Sequence, residues 1–223
     1  MNVSEAVDSR RSVRAFLDQP VDLGILREVL ERAARAPSGG NLQPWRLYVL
    51  SGDALSRLKD AIQLRLNTHP TPDLPLDYEV YPSPLGEPYR SERYAVGEAM
   101  YAELGIARED KTARLQQFAN NYRFFGAPVA LFCYVDRGMG PPQWSDLGMY
   151  LQTVMLLLRE RGLDSCAQEC WSVYHREIAA QLSPPREWML FCGMAIGHAD
   201  PDAPVNRLRA RRLPLDQFVQ WRS

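Results

Sequence analysis

The sequence predicts an α+β fold in which helices flank a mixed, mostly antiparallel central sheet. Three observations carry this. Several segments have the 3.6-residue apolar period of core-facing helices. Four short runs have the length and apolar composition of strands. Strands and helices do not alternate in the regular rhythm that builds a doubly wound parallel sheet. At 223 residues, with 46% hydrophobic and 24% charged residues, the chain suits one packed domain spanning 1–223.

Asp22 to Ala36 reads as the first helix: Leu26, Val29, Leu30 and Ala33 share a face, Asp22 caps it and Pro37 ends it. "RLYVLSG", Arg46 to Gly52, has strand character, and Asp53 to about Leu66 returns to helix with Leu55, Leu58, Ile62 and Leu66 stacked. From about 68 to 90 the chain turns irregular, with prolines at 70, 72, 75, 82, 84 and 88. Tyr78, Tyr81 and Tyr89 imply that this excursion packs down on the surface. Helical patterns resume over Ser91–Leu104 and Lys111–Phe125.

The strongest strand is "APVALFCYVD", Ala127 to Asp136, behind which "DLGMYLQTVMLLLRERG", Asp146 to Gly162, forms a helix apolar nearly all round. Such a helix is expected in a core or at a subunit interface. Strands around Ser165–Gln168 and Met189–Ile196 enclose a helix from about Val173 to Leu182, and a Pro- and Arg-rich tail begins at Asp200.

Charge and composition narrow the function. A net charge of -1 argues against nucleic acid or an anionic membrane as partner, because both need surplus basic residues. The N-terminus has no apolar signal region, and no stretch nears the ~20 apolar residues that cross a bilayer, so a soluble, cytoplasmic protein is expected. Cys133, Cys166, Cys170 and Cys192 have neither CxxC spacing nor histidine at metal-ligand distance, which predicts buried, reduced thiols and no metal. Phosphate-loop, dinucleotide and nucleophile-elbow motifs are missing. His175 reads as a surface or boundary residue rather than a base.

Three stretches carry possible chemistry. "SRRSVRAF" sets Arg10, Arg11, Ser12 and Arg14 within five positions, a donor set that suits one compact dianion. A solvated cluster is the other reading, since only Lys59 and Lys111 among the 26 basic residues are not arginine. "NRLRARRLP" concentrates arginine again at 207, 209, 211 and 212, and the two ends of the chain could meet over one phosphate. "APSGGNLQPW" offers Ser38, Asn41 and Gln43 with two bare glycines; it reads equally as a plain turn or as a loop made for close approach to a ligand.

These stretches, with "FFGAPVALF", "DLGMYLQTVMLLLRERGLDS" and "RRLPLDQF", in this order and at this spacing, resemble the nitroreductase family of FMN-dependent flavoproteins. "EPYRSERYAVGEAMYAELGI", "CAQECWSVYH" and "CGMAIGHADPDAPVN" are most similar to its nitrobenzoate and nitrophenol reductases. The resemblance implies an intertwined homodimer with FMN bound at the interface. It implies that Arg10, Arg11, Ser12 and Arg14 hold the FMN phosphate and ring edge and that Arg212, with Arg211 as its nearest competitor, completes the clamp. Pro37, Ser38, Gly39 and Asn41 would touch the flavin of the partner subunit. Gln168 and Glu169, with Ala167, would pass the isoalloxazine ring near N5.

The implied activity is NAD(P)H-dependent reduction of a small electron-poor aromatic, a nitroaromatic above all, with NADH or NADPH as donor and no protein acid or base required. Dehalogenation, ene reduction and flavin-dependent dehydrogenation are the alternatives on the same fold, and a non-catalytic phosphate-ligand or nucleic-acid binder is the distant one. Phe124, Phe125 and the segment from Thr68 to Arg90 are candidates for the substrate pocket, though the two phenylalanines fit a core equally well.

Overall fold

In the computed structural model, which describes residues 1–222, the chain forms seven α-helices and four strands among the described residues. In order these are α1 (Val3–Ser9), α2 (Leu23–Ala33), β1 (Arg46–Ser51), α3 (Gly52–Thr68), α4 (Tyr89–Glu103), α5 (Lys111–Ala119), β2 (Val129–Asp136), α6 (Pro141–Glu160), β3 (Asp164–Gln168), α7 (His175–Leu182) and β4 (Trp188–Gly197). The strands lie in the order β1-β2-β4-β3, and every neighbouring pair is antiparallel. One parallel bridge, Ser12 to Ser165, adds the N-terminal segment to the β3 edge and makes the sheet mixed.

β2 explains the layering. Seven of its eight residues are buried, because helices cover both faces of the sheet. Ala130, Phe132 and Tyr134 point into a core shared with Leu55, Leu58 and Ile62 of α3. Leu131, Cys133 and Val135 point into a second core with Leu26 and Val29 of α2 and Leu147, Val154 and Leu158 of α6. The strand therefore reads as a continuous apolar run rather than an alternating one.

Several expected boundaries move. α1 is absent from the sequence-based reading because it buries only Ala6 and so shows no apolar period; a reciprocal cap between Asn2 and Glu5 holds it. α6 begins at Pro141 rather than Asp146, since proline at the first helical positions forfeits no hydrogen bond. The helix expected through Phe125 stops at Ala119 and continues as 3₁₀ turns over Asn120–Gly126, where Phe124 and Phe125 take φ of 52° and 54°. The helix expected from Val173 begins at His175, after another 3₁₀ stretch.

The irregular segment is pinned by its first half. The Asp73 carboxylate accepts from the Arg176 amide (2.8 Å) and from Arg65 (3.2 Å), Tyr174 donates to the Pro70 carbonyl (2.7 Å), and Tyr78 donates to the Phe191 carbonyl. Of the three tyrosines only Tyr78 packs down; Tyr81 and Tyr89 stay exposed.

All four cysteines are free thiols. Burial pushes Cys133 and Cys170 up to about 12 and raises Cys166 and Cys192 as well. At pH 8 a thiol of that pKa is about one part in ten thousand thiolate. Native protein is therefore expected to react with far less than one equivalent of a thiol reagent in the time that denatured protein consumes four, which a timed chromogenic thiol assay checks.

Candidate functional site

The N-terminal arginines reach their place through the backbone. The Val13 amide donates to the Ser165 carbonyl (3.1 Å) and the Leu17 amide to the His198 carbonyl (2.9 Å), so the stretch runs along the edge of the sheet. Val13 and Phe16 turn into the core, which leaves Arg10, Arg11, Ser12 and Arg14 on the opposite side.

The tail is fastened to the same stretch by one buried side chain. Asn206 accepts from the Arg14 amide (2.9 Å) through Oδ1 and donates through Nδ2 to the carbonyls of Ala15 and Asp200 (both 2.8 Å). The tail then leads Arg209 and Arg212 back over the N-terminal arginines. The two remote clusters do meet, at the wall of a cavity of about 580 Å³.

The lining of this cavity is electrostatically lopsided. Arg10, Arg11, Arg14, Arg209 and Arg212 face it against one carboxylate, Asp8. The nearby Asp164 is held by Arg159 at 2.6 Å. Burial lowers the pKa of Arg10 and Arg11, and a like charge lowers each further, Arg212 for the first and Arg209 for the second. The buried Nε of Arg11 has no hydrogen-bond partner. An orphaned guanidinium nitrogen among five cations is a setting for a polyanion. Arg211, by contrast, is tied to Glu92 and lies outside this lining, so of the two competing tail arginines it is Arg212 that faces the cavity.

A second space of about 200 Å³ adjoins the first: both are bordered by Arg14, Val96 and Leu208, and the smaller one also by Phe125 and Asn121. Asn121 in turn borders a third, of about 630 Å³, which holds Gln168 and Glu169. Gln168 is buried at the end of β3; its Nε2 donates to the Asn121 carbonyl (2.7 Å), and its Oε1 is buried without a partner. Glu169 is exposed at the surface, yet partial desolvation of its carboxyl raises its pKa, against a hydrogen bond from Tyr81 that lowers it. Cations at one end and a wide slot with aromatic walls at the other form a trough for a flat molecule with an anionic tail.

The turn at Pro37–Asn41 is not part of that trough in one chain. It precedes β1, at the far edge of the sheet from Ser12, and no cavity described above includes it. The Gly39 amide donates to both Asp146 carboxylate oxygens (3.3 and 3.2 Å), and Ser38 Oγ accepts from the Gln43 amide (3.0 Å). Gly40 sits at φ 57°, a conformation that glycine adopts without strain. A Cβ at Gly39 or Gly40 would meet nothing closer than 4.0 Å. Pro37, Gly39 and Asn41 are exposed, so within one chain the bare backbone faces open space.

Phe124 is core, stacked on Trp171 at 4.4 Å, whereas Phe125 reaches the trough beside Arg14. The sequence-based reading missed three residues. Asn206 had a signal only in being an amide among arginines; Asn121, which orients Gln168, had none. Arg93, which borders the smaller space and the wide slot, was hidden as one of many arginines in an Arg-rich chain.

A model of the Nitroreductase family matches residues 7–198. The nitrobenzene nitroreductase of Ectopseudomonas oleovorans is 36% identical, with 98% of this chain and 96% of that protein aligned. The 4-nitrobenzoate reductase of Pseudomonas putida is likewise 36% identical over 96% and 93%. Among solved structures, the FMN and NADPH-dependent nitroreductase NfnB from Sphigopyxis sp. strain HMH shares 50% identity and a TM-score of 0.96 over the whole of both chains. NfnB from Mycobacterium smegmatis, solved with NADPH, shares 30% identity and a TM-score of 0.92, again over both full lengths.

Proposed function

The chain belongs to the nitroreductase family, and from that premise we propose that it is an FMN-dependent oxidoreductase which uses NADPH or NADH to reduce nitroaromatics. The observation that carries the reading is the meeting of the terminal arginine clusters over one cavity that opens toward an aromatic slot. FMN fits the residues present. Its phosphate matches the five guanidiniums and the orphaned Arg11 Nε, and its ring matches the wider space bordered by Gln168 and Glu169. Bound there, FMN would supply two-electron hydride chemistry between the nicotinamide donor and the nitro group.

The protein's own part is to bind and orient. Arg10, Arg11, Ser12, Arg14 and Arg212 grip the anionic tail with charge-assisted hydrogen bonds. The same positive field favours electron density arriving nearby. Gln168, locked by Asn121, presents a fixed edge to the slot. Tyr122 and Val173 give the slot part of its apolar wall.

We further propose a homodimer in which Pro37, Ser38, Gly39 and Asn41 act on the partner's flavin. Four strand spacings across the sheet and at least five residues along it separate the turn from Ser12, roughly 25 Å by standard strand dimensions. Both therefore line one slot only if the turn comes from a second copy, which gives the exposed backbone at Gly39 and Gly40 something to approach. The exposed tail side chains Leu215, Phe218 and Trp221 and the exposed Val3 and Val7 of α1 supply apolar surface for such a contact. All of residues 1–223 act in this reading as one unit. Its reduced thiols suit the cytoplasm. No helix among the described residues is long and apolar enough to cross a membrane.

Purified protein is expected to be yellow, to lose its flavin absorbance with NADPH under anaerobic conditions and to regain it on adding a nitroaromatic. Sedimentation is expected to give a two-chain species holding about two FMN. Colourless protein that ignores added FMN would defeat the first proposal; a flavin-saturated monomer would defeat the second.

A further inference from the structure

Three carboxylates are buried in this fold, and two of them, Asp73 and Asp164, each hold an arginine. The third, Asp146 of α6, is 4% exposed and pairs with no Lys, Arg or His among the described residues. It accepts instead from one backbone amide, that of Gly39, shared between its two oxygens. Burying a charge without a cation is costly, so a carboxylate at this place needs a task that a neutral side chain would do less well. The turn supplies that task. Asn41 and Gln43 hold φ of 57° and 49°, a region that residues other than glycine occupy at a cost, while Pro37, Gly39 and Asn41 are exposed. An open turn of this kind keeps its shape only if it is fastened from outside. α6 fastens it at both ends: Asp146 grips Gly39 at the start, and Tyr150, one helical turn on, stacks on Trp45 at the finish with ring centroids 4.7 Å apart.

From this we infer that Asp146 is a positioning residue: by gripping Gly39 it holds the bare backbone of the turn in the shape that meets the flavin of a second copy. The inference rests on the homodimer proposal and deepens it. Asp146 borders none of the cavities described above, so its effect on the flavin passes through the turn. A carboxylate holds an amide by a charge-assisted bond, stronger than the one that a neutral oxygen makes. Removing it relieves the cost of a buried charge and frees an amide that water can reach, since Gly39 is exposed. Stability and flavin affinity therefore move separately, which sets Asp146 apart from a residue that only supports the fold.

The test uses the whole chain and its Asp146→Asn and Asp146→Ala variants. FMN affinity is expected to fall about tenfold or more in Asp146→Ala and by less in Asp146→Asn, which keeps an acceptor oxygen. Hydrogen exchange across residues 37–43 of the apoprotein should quicken in Asp146→Ala, while its melting temperature stays within about 4 °C of wild type. A mixed dimer then decides which flavin the turn serves. One chain carries Asp146→Ala, the other carries Arg11→Gln with Arg212→Gln, and different tags isolate the pair. The arginine clamp of the first chain and the turn of the second are both intact at one site, so the mixed dimer should hold about one FMN at wild-type affinity although either homodimer binds it weakly. Two weakened sites would overturn the inference, by assigning the turn to the flavin of its own chain. Unchanged FMN affinity in Asp146→Ala would overturn it too, as would a melting temperature that falls in step with affinity. Wild-type protein that binds FMN as a monomer sinks the homodimer proposal and this inference with it, whereas a wild-type dimer loaded with FMN leaves that proposal standing whatever the variants show.

Discussion

Arg11→Gln combined with Arg212→Gln is expected to weaken FMN binding by about two to four orders of magnitude. Each substitution removes one charge-assisted hydrogen bond worth about 1.5–3 kcal/mol, and about 1.4 kcal/mol corresponds to a factor of ten. The two positions come from opposite ends of the chain and line the same cavity, so the effect also reports whether the ends meet in solution. Fluorescence titration of the apoprotein with FMN measures the loss directly.

A folding defect would mimic this result, and the electrostatics separate the two. Arg10 and Arg11 each sit against a further arginine that disfavours their charged form, so the empty cluster repels itself. Neutralising two members relieves that repulsion. The apoprotein's melting temperature should stay level or rise, whereas the stabilisation from added FMN should largely vanish. For the wild-type protein that stabilisation is about 2.7 kcal/mol at a ligand concentration a hundred times Kd. A variant whose apoprotein melts well below wild type would indicate structural damage, and the loss of affinity could then not be attributed to the phosphate.

The asymmetry between what the sequence reveals and what it hides follows from the range of each interaction. Local period and breaker residues are enough to locate α2, α3 and the strand β2, because their apolar spacing is set within a dozen residues. Both arginine clusters and the Gly-rich turn are equally visible as composition. Composition suggests their meeting without locating it, because it depends on Asn206 bonding across 192 positions to the Arg14 amide. An asparagine in an arginine-rich tail has no local mark of being buried.

The turn shows the same limit from the other side. Its glycines are legible as permission for positive φ, and Gly40 uses that permission. The use of Ser38 Oγ as a cap for the Gln43 amide, and of Asp146 as the anchor of the Gly39 amide, lies in tertiary contacts. Phe124 and Phe125 were beyond reach for a different reason. Consecutive aromatics at positive φ contradict their own backbone preference, at a cost of order 1–3 kcal/mol each. They hold that conformation because Phe124 is clamped between Trp171 and Phe132 and because the Phe125 carbonyl accepts from the Phe16 amide (3.1 Å).

Trp171 is therefore the place where fold and site are coupled, and Trp171→Ala is expected to destabilise the protein by about 3–5 kcal/mol. The indole is fully buried. It stacks on Phe124 and takes the edges of Tyr122 and Phe132 at 5.3 Å. On its other side it lies so close to β4 that a Cβ on Gly193 would stand 2.4 Å from its Cδ1. Removing it leaves a cavity that none of these neighbours can close without giving up its own contacts. At roughly 2–4 °C per kcal/mol for a chain of this size, the melting temperature should fall by about 6–20 °C. Trp171 follows Glu169 and Cys170 directly in sequence and anchors the 3₁₀ turn on which they sit, so the variant should also lose FMN more readily than its stability alone explains. Trp171→Phe, which refills most of the space, should recover the greater part of both losses. A melting temperature for Trp171→Ala within about 2 °C of wild type, less than the shift that a single kcal/mol produces, would show that the aromatic stack does not hold this turn.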